Sequence, residues 1–346
     1  MRAVVYHAEH DVRVEDIEAP ELIAPDDAVV AVTKAGICGS DLHFYNGRLP
    51  GVFDGAVVGH EFVGTVVAVG DAVTQFAVGD DVVGSFQIAC GSCAACRSER
   101  FNHCEDLAVL GYGVFLGDLA GAQAEQVRVP HADINLLRIP PGVTAEAALF
   151  VGDILTTGWY AVSIADLPRG SDVLVVGAGP VGIMTMLAAQ AQGAGRVVVT
   201  DFVASRLEVA AGLGAMTIDG TKQSVAVAVE GILPSGPDVV IETVGLPAAL
   251  LTSIECVRAG GTVVVIGVHS EFEELLPVGT LFRRNITLRF GGTCNVQGYW
   301  RDAMQAVADG RLDPTVVVSH RLPLADAAEG YRLFDSKEAL KVVLDV

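Results

Sequence analysis

From the start of the chain to Thr144, apolar positions come in short Val-rich runs: VVAVTKAGI, FVGTVVAVG, DDVVGSF and AEQVRVP, each bounded by Gly, Asp or Pro. Runs of that length and branching predict strands, because β-branched side chains pack well on a pleated surface. Beyond Thr144 the texture changes, and AEAALF and TTGWYAVSIA read as helix. From Asp172 strands and helices alternate: VLVVGAG, PVGIMTMLAAQAQG, RVVVTD and SRLEVAAGLG, with later strands at DVVIET and GTVVVIGV. Such alternation builds parallel βαβ units, whose strands are covered on both faces and so read as continuous apolar runs. After Gly291 come a helix, GYWRDAMQAVADG, and a closing strand, KVVLDV. The pattern predicts an α/β chain, with a β-rich domain first and a doubly wound parallel-sheet domain second.

Length supports that division, since 346 residues exceed one ordinary core and 51% are apolar. The 39 glycines follow no fixed period, which fits tight turns in a folded protein and not a fibrous chain. Charge narrows the function classes. With 22 basic against 42 acidic residues, a net of −20, the chain lacks the basic footprint that phosphate neutralisation requires. The excess acid reads as a solvated surface. No run of about 18 apolar residues marks a membrane span. The opening MRAVVYHAEHDVRVEDIEAP alternates like a strand and lacks the charged head and apolar centre of a signal peptide. The expectation is a cytoplasmic protein acting on small molecules. Four of the seven cysteines crowd between Cys90 and Cys104, which in a reducing compartment reads as metal binding.

The run Gly177-Ala178-Gly179-Pro180-Val181-Gly182 matches G-x-G-x-x-G. The first two glycines allow a tight turn and close approach of backbone to a pyrophosphate, the third allows the helix to pack on the strand, and the helix N-terminus favours the anion. Alone the motif is weak. Here it follows a strand, opens a helix, and precedes Asp201, 19 residues after Gly182 at the end of the next strand. A carboxylate there accepts hydrogen bonds from ribose hydroxyls and repels the extra phosphate of NADP, so NAD is the expected cofactor. The competing reading, a structural Gly-rich turn with a helix-capping Asp, leaves that context unexplained.

Cys90, Cys93, Cys96 and Cys104 are spaced C-x2-C-x2-C-x7-C. Four thiolates on one short loop can enclose Zn2+ tetrahedrally with no open position, which makes a structural site. An iron–sulfur cluster would call for a different last spacing, disulfides for a different compartment, and a nucleic-acid zinc module for the opposite charge. A second, dispersed set comprises Cys38 in KAGICGSDLH and His60-Glu61 in VVGHEFVGTV. From residue types alone two readings stay open: two ligands of a metal site with room for substrate, or a small buried Cys and an ordinary His.

In order along the chain, GICGSDLH, GHEFVGTVVAVG, the four-Cys loop and VGAGPVG resemble the zinc alcohol dehydrogenases of the medium-chain dehydrogenase/reductase superfamily. The resemblance implies a GroES-like zinc-binding catalytic domain over 1–154, a Rossmann NAD-binding domain over 155–290, and a segment over 291–346 that rejoins the catalytic domain. It implies that Cys38, His60 and Asp153 are ligands of a catalytic zinc. Glu61 resembles an acid beside that metal which ligates it transiently in some members. Asp41 resembles the carboxylate that orients the ligand His, and Ser40 and His43 match a proton relay. Thr157, Val181, Arg206, Ile266 and Val268 fall where members contact NAD, and Phe86 where many carry an aromatic wall of the substrate pocket. For Val181, Ile266 and Phe86 a plain core role is the alternative. For Ser40 and His43 it is a helix cap and a surface residue.

Two features depart from the family pattern. Gly39 stands where many members carry a basic residue against the pyrophosphate, so Lys341 becomes the candidate for meeting that charge. The third ligand is Asp, whereas polyol, butanediol and threonine dehydrogenases commonly carry Glu, which favours simple alcohols. The implied reaction is reversible oxidation of an alcohol to an aldehyde or ketone with hydride transfer to NAD, in a homo-oligomer, tetramer or dimer. The alternatives are a polyol or butanediol dehydrogenase, a zinc-free quinone reductase, and a non-catalytic NAD-binding protein with structural zinc only.

Overall fold

In the computed structural model, which describes residues 1–48, 51–269 and 275–346, the Val-rich runs pair side by side. The chain divides into two compact units, 1–153 with 295–346, and 154–294. Among the described residues, the first unit holds a seven-stranded sheet. Its path runs Leu136–Arg138, Asp81–Gly84, Glu61–Val69, Ala28–Ile37, Val342–Asp345 and His320–Pro323, with Gln126–Val129 also paired to Ala28–Ile37. Ala28–Ile37 and Glu61–Val69 are antiparallel, with Gly36 opposite Glu61. On the other edge of Ala28–Ile37, Val342 lies opposite Ile37 and Asp345 opposite Lys34. The inward residues of this sheet, among them Val30, Ile37, Phe62 and Leu344, share one core with Tyr331 and Phe334 of the helix Ala327–Asp335. Burying an aliphatic or aromatic side chain of this size stabilises the fold by about 1.5–3 kcal/mol relative to exposure.

The second unit is a six-stranded parallel sheet among the described residues. Its order is Met216–Asp219, Arg196–Asp201, Asp172–Val176, Val239–Glu242, Thr262–Val265 and Thr287–Phe290. The chain winds outward from Asp172–Val176 in one direction and then starts again from its other side at Val239–Glu242. Ligands of such sheets bind at that reversal, beyond the carboxyl ends of the strands. Leu174, Val198, Val240 and Val263 are fully buried, as expected of strands covered on both faces. The helix Ile154–Ile164 packs on Pro180–Ala191 so closely that a Cβ on Gly158 would meet the backbone N of Thr185 at 2.6 Å. No single described helix is long and apolar enough to cross a membrane.

Candidate active site

The strand pairing brings the dispersed residues together. Cys38 is the first residue past Ala28–Ile37, and His60 immediately precedes Glu61–Val69. Because Gly36 faces Glu61 across the ladder, the two turns meet at one end of the sheet. Asp153 closes the 3-10 turn Phe150–Gly152 and enters from a third direction. Its Oδ2 lies 3.4 Å from Sγ of Cys38 and 3.3 Å from Nε2 of His60. All three side chains are buried, and their donor atoms lie within 4.8 Å of one another.

Electrostatics there is that of a site built for a cation. Burial, then the charge of Asp153, pushes the Cys38 thiol up. His60 is held well above the ordinary imidazole range although burial opposes it, because Asp41 and Asp153 both face the ring. Asp153 is held low although burial raises it, chiefly by His60. Buried S, N and O donors that otherwise keep protons on Cys38 and His60 fit a divalent, borderline-soft ion, which displaces those protons on binding.

The neighbours of this set follow the same turns. Oδ2 of Asp41 accepts the Cys38 N–H at 2.9 Å, while Oδ1 lies 3.1 Å from Nδ1 of His60. Ser40 starts the helix Asp41–Tyr45 without a side-chain capping bond. Its Oγ instead lies 3.2 Å from Nε2 of His60. His43 is on that helix, half-buried, and burial then Arg48 lower its pKa from 6.5. Among the described residues, no hydrogen bond joins the Ser40 and His43 side chains. Phe86 and Tyr112 both set their rings edge-on to His60, each with a centroid distance of 6.0 Å. Sequence reasoning did not single out Tyr112, whose hydroxyl donates to the Ser40 carbonyl at 2.9 Å. A lone Tyr in a Gly-rich loop carries no sequence signal of such a role.

Lys341 requires a correction. It was expected to face a pyrophosphate, but its side chain is fully buried, with Nζ 2.5 Å from Oε2 of Glu61. An ammonium committed to a buried carboxylate is not the free phosphate-binding group the sequence reading called for. Burial pushes the Glu61 carboxyl up to about 7, against the pull of Lys341. Lys341 is held above its ordinary range by Glu61, although burial opposes it. At this distance and depth the charged pair is the reading that the geometry favours. Oε1 of Glu61 has no hydrogen-bond partner among the described residues.

The four cysteines of the Cys90–Cys104 loop also converge, all Sγ atoms lying within 4.8 Å of one another and those of Cys90 and Cys96 4.0 Å apart. Four thiolates at about 2.3 Å from a zinc ion sit about 3.8 Å from each other. Backbone N–H groups point at the sulfurs: Cys90 at Cys104, Cys96 at Cys93 and Asp106 at Cys104. Such donors favour thiolate. Although burial pushes Cys90 up, the backbone and hydroxyl of Ser92 and the backbone of Cys93 hold it down at about 6, and the Cys96 and Glu105 backbone groups lower Cys93.

In the second unit, Gly177 takes φ +104° and Gly182 packs so tightly that a Cβ would lie 1.9 Å from the Gly177 carbonyl. Among the described residues, the only atom near a Cβ on Gly179 is Nη1 of Arg206 at 3.8 Å, so the turn leaves an open cradle. Asp201 stands over it: Oδ2 accepts the Ala178 N–H and Oδ1 those of Phe202 and Val203. Oδ1 is thereby occupied by two donors, while Oδ2 keeps a lone pair for a hydroxyl donor. Nε of Arg206 is buried without a partner among the described residues. Val181 lies in the first turn of Pro180–Ala191. Ile266 is buried and Val268 exposed just past Thr262–Val265, and Thr157 is buried in Ile154–Ile164. The cradle fits a dinucleotide.

Residues 24–141 match the family model of the alcohol dehydrogenase GroES-like domain, and 180–309 that of zinc-binding dehydrogenases. The chain is 41% identical over 333 residues to a probable zinc-binding alcohol dehydrogenase of Mycobacterium tuberculosis, covering 96% of this chain and 84% of the relative. It is 32% identical over 352 residues to sorbitol dehydrogenase of Bacillus subtilis, covering 99% and 97%. The solved alcohol dehydrogenase of Thermus sp. ATN1 superimposes with a TM-score of 0.97 at 45% identity, covering all of both chains.

Proposed function

The chain belongs to the zinc-dependent alcohol dehydrogenases of the medium-chain dehydrogenase/reductase superfamily, and from that premise we propose that it oxidises simple alcohols to aldehydes or ketones, reversibly, with NAD. One observation carries the reading: the buried donors of Cys38, His60 and Asp153 converge beside the Ser40 hydroxyl. In this reading Cys38, His60 and Asp153 hold zinc, whose Lewis acidity makes an alcohol hydroxyl easier to deprotonate. The Gly177–Gly182 turn, with Asp201 accepting from ribose hydroxyls and Arg206 lying over the turn, would hold NAD, which would supply the hydride acceptor.

The remaining work belongs to side chains. Oγ of Ser40, 3.2 Å from the ligating nitrogen of His60, accepts the proton from an alcohol hydroxyl presented to the donor set. From there it would cross, through a bridging hydroxyl, to the His43 imidazole, which burial keeps neutral and so free to accept it. Asp41 holds the His60 ring from behind. Phe86 and Tyr112 supply apolar walls against that ring, which exclude water and suit a hydrocarbon substituent better than a chain of hydroxyls. Relatives include a sorbitol dehydrogenase, so the polyol reading is the one to test against. A panel of primary and secondary alcohols and polyols with NAD, followed by NADH absorbance, decides it. Turnover of simple alcohols above polyols supports the proposal, and the reverse order replaces it.

A further inference from the structure

One buried side chain outside the donor set touches both turns that carry Cys38 and His60. Gln123 is fully buried, just ahead of the strand Gln126–Val129. Its backbone follows the approach to His60: the N–H of Ala122 donates to the Gly59 carbonyl and that of Gln123 to the Val58 carbonyl. Gly59 has φ +89°, and a Cβ there would lie 2.3 Å from Cγ of Gln123, so the turn before His60 is shaped around this side chain. Nε2 of Gln123 donates to the Gly36 carbonyl at 2.9 Å, two residues before Cys38, and lies 3.4 Å from Oδ2 of Asp41. Oε1 accepts the hydroxyl hydrogen of Tyr331 at 3.0 Å. Tyr331, on the helix Ala327–Asp335, is fully buried, with its ring against Phe44 and Tyr45.

The sense of these bonds matters. An amide has a donating end and an accepting end of nearly the same shape. Here Gly36 and Asp41 require the donor end, and the Tyr331 hydroxyl satisfies the acceptor end. A reversed amide would set its oxygen against a carbonyl and a carboxylate in a dry interior, where such mismatches are costly. The Gly36 carbonyl and the Asp41 carboxylate, which can only accept, therefore fix which way Gln123 points, the Tyr331 hydroxyl satisfies and anchors the amide oxygen left on the other side, and Gln123 steadies Asp41 and the two ligand-bearing turns.

We propose that Gln123 and Tyr331 are positioning residues for the catalytic metal, acting through Asp41 and the turns of Cys38 and His60 to set how tightly zinc is held. This rests on the reading of Cys38, His60 and Asp153 as zinc ligands. Groups that orient metal ligands without touching the metal typically alter its affinity by about 10- to 100-fold when removed. Tyr331→Phe keeps the ring packing and removes only the hydroxyl, so a smaller effect of roughly fivefold is expected, the scale of one net hydrogen bond.

The test uses the zinc-loaded enzyme. Zinc release to a chromogenic chelator is followed in the unmodified protein, Gln123→Leu and Tyr331→Phe. The phase absent from Cys38→Ser identifies the catalytic site. The expected result is faster release in that phase alone, with release from the four-Cys site unchanged, together with a shifted visible spectrum when cobalt replaces the catalytic zinc. Unchanged release in Tyr331→Phe, or equal acceleration of both phases, overturns the proposal. Should Gln123→Leu fail to fold, Tyr331→Phe decides alone. A single zinc per chain in the unmodified protein, with no phase lost in Cys38→Ser, overturns instead the ligand reading beneath it.

Discussion

Nζ of Lys341 and Oε2 of Glu61 are 2.5 Å apart, and neither side chain reaches solvent. The carboxylate sits next to the ligand His60 in sequence, and the Lys341 ammonium is its chief counter-charge among the described residues. Removing one partner of a buried pair strands the other, at a cost of about 3–5 kcal/mol. Lys341→Met should lower the unfolding free energy by that order, read as a lower urea midpoint. Adding Glu61→Gln should recover much of the loss, because two neutral groups no longer need each other. Equal destabilisation by the single and double variants would show that the pair is not coupled.

The two donor sets predict two zinc ions per chain by metal analysis. They should respond differently to mutation. Cys93→Ser should cut folding yield, since a structural zinc contributes folding free energy. Cys38→Ser should leave folding intact and abolish turnover. If both variants behave alike, the division into structural and catalytic sites is wrong.

Cofactor choice is expected to hang on Asp201. Its carboxylate is anchored by three backbone N–H groups and so stands rigidly over the Gly-rich turn, where a 2′-phosphate would meet negative charge. NAD should be preferred to NADP, and Asp201→Gly should narrow or reverse the preference, read as kcat/KM for each cofactor. Equal use of both by the unmodified enzyme would sink this idea.

The proton's exit is expected to run through His43. Burial and Arg48 put its pKa below 6.5, so the folded imidazole is neutral and able to accept a proton at pH 7. Alcohol oxidation should therefore rise as pH climbs through that depressed value and level off above it. In the same window the unfolded chain binds the proton more readily, so the stability due to neutral His43 is lost as pH falls below about 6.5. His43→Gln should slow oxidation near neutrality by about one to two orders of magnitude. The deficit should shrink at high pH or with added imidazole. An unchanged pH profile would remove His43 from the path.

Thr287–Phe290 is an edge strand of the parallel sheet, with Phe290 exposed and Val278 and Phe282 exposed on the helix before it. An open edge beside exposed apolar side chains is a surface that proteins usually cover. We expect a homo-oligomer, a tetramer before a dimer, by light scattering, and a smaller species for Phe282→Glu. A monomeric unmodified protein would refute it.

Much of this was legible in residue order, for reasons that differ by site. The four-Cys loop and the Gly177–Gly182 turn are local, so spacing alone carries their geometry. Cys38, His60 and Asp153 come from three separate segments, and only the family resemblance joined them before the sheet pairing was known. Lys341 was misread because sequence fixes its charge but not its direction. Paired to Ala28–Ile37 through the adjoining strand, it turns into the core toward Glu61. Gln123 and Tyr331 were invisible because buried hydrogen bonding between distant polar residues leaves no periodicity. The helix Val225–Ile232, VAVAVEGI, escaped for a local reason: its alternating Val residues follow strand preferences, which the sheet order overrides.

The Val342–Asp345 strand has a consequence for how the molecule is made. It lies against Ala28–Ile37, and the ion pair of Lys34 with Asp345 joins positions 311 residues apart. The whole of 154–294 leaves the ribosome between those two strands, and that unit is continuous in sequence. The nucleotide-binding half thus has all of its strands before the metal-binding half has its own. During that interval one edge of Ala28–Ile37 from Lys34 to Ile37 has no partner strand, Glu61 lacks its ammonium, and Gln123 lacks Tyr331. Apolar β-structure is thereby left waiting through most of translation, which makes the nascent first unit the stretch most in need of protection from chaperones.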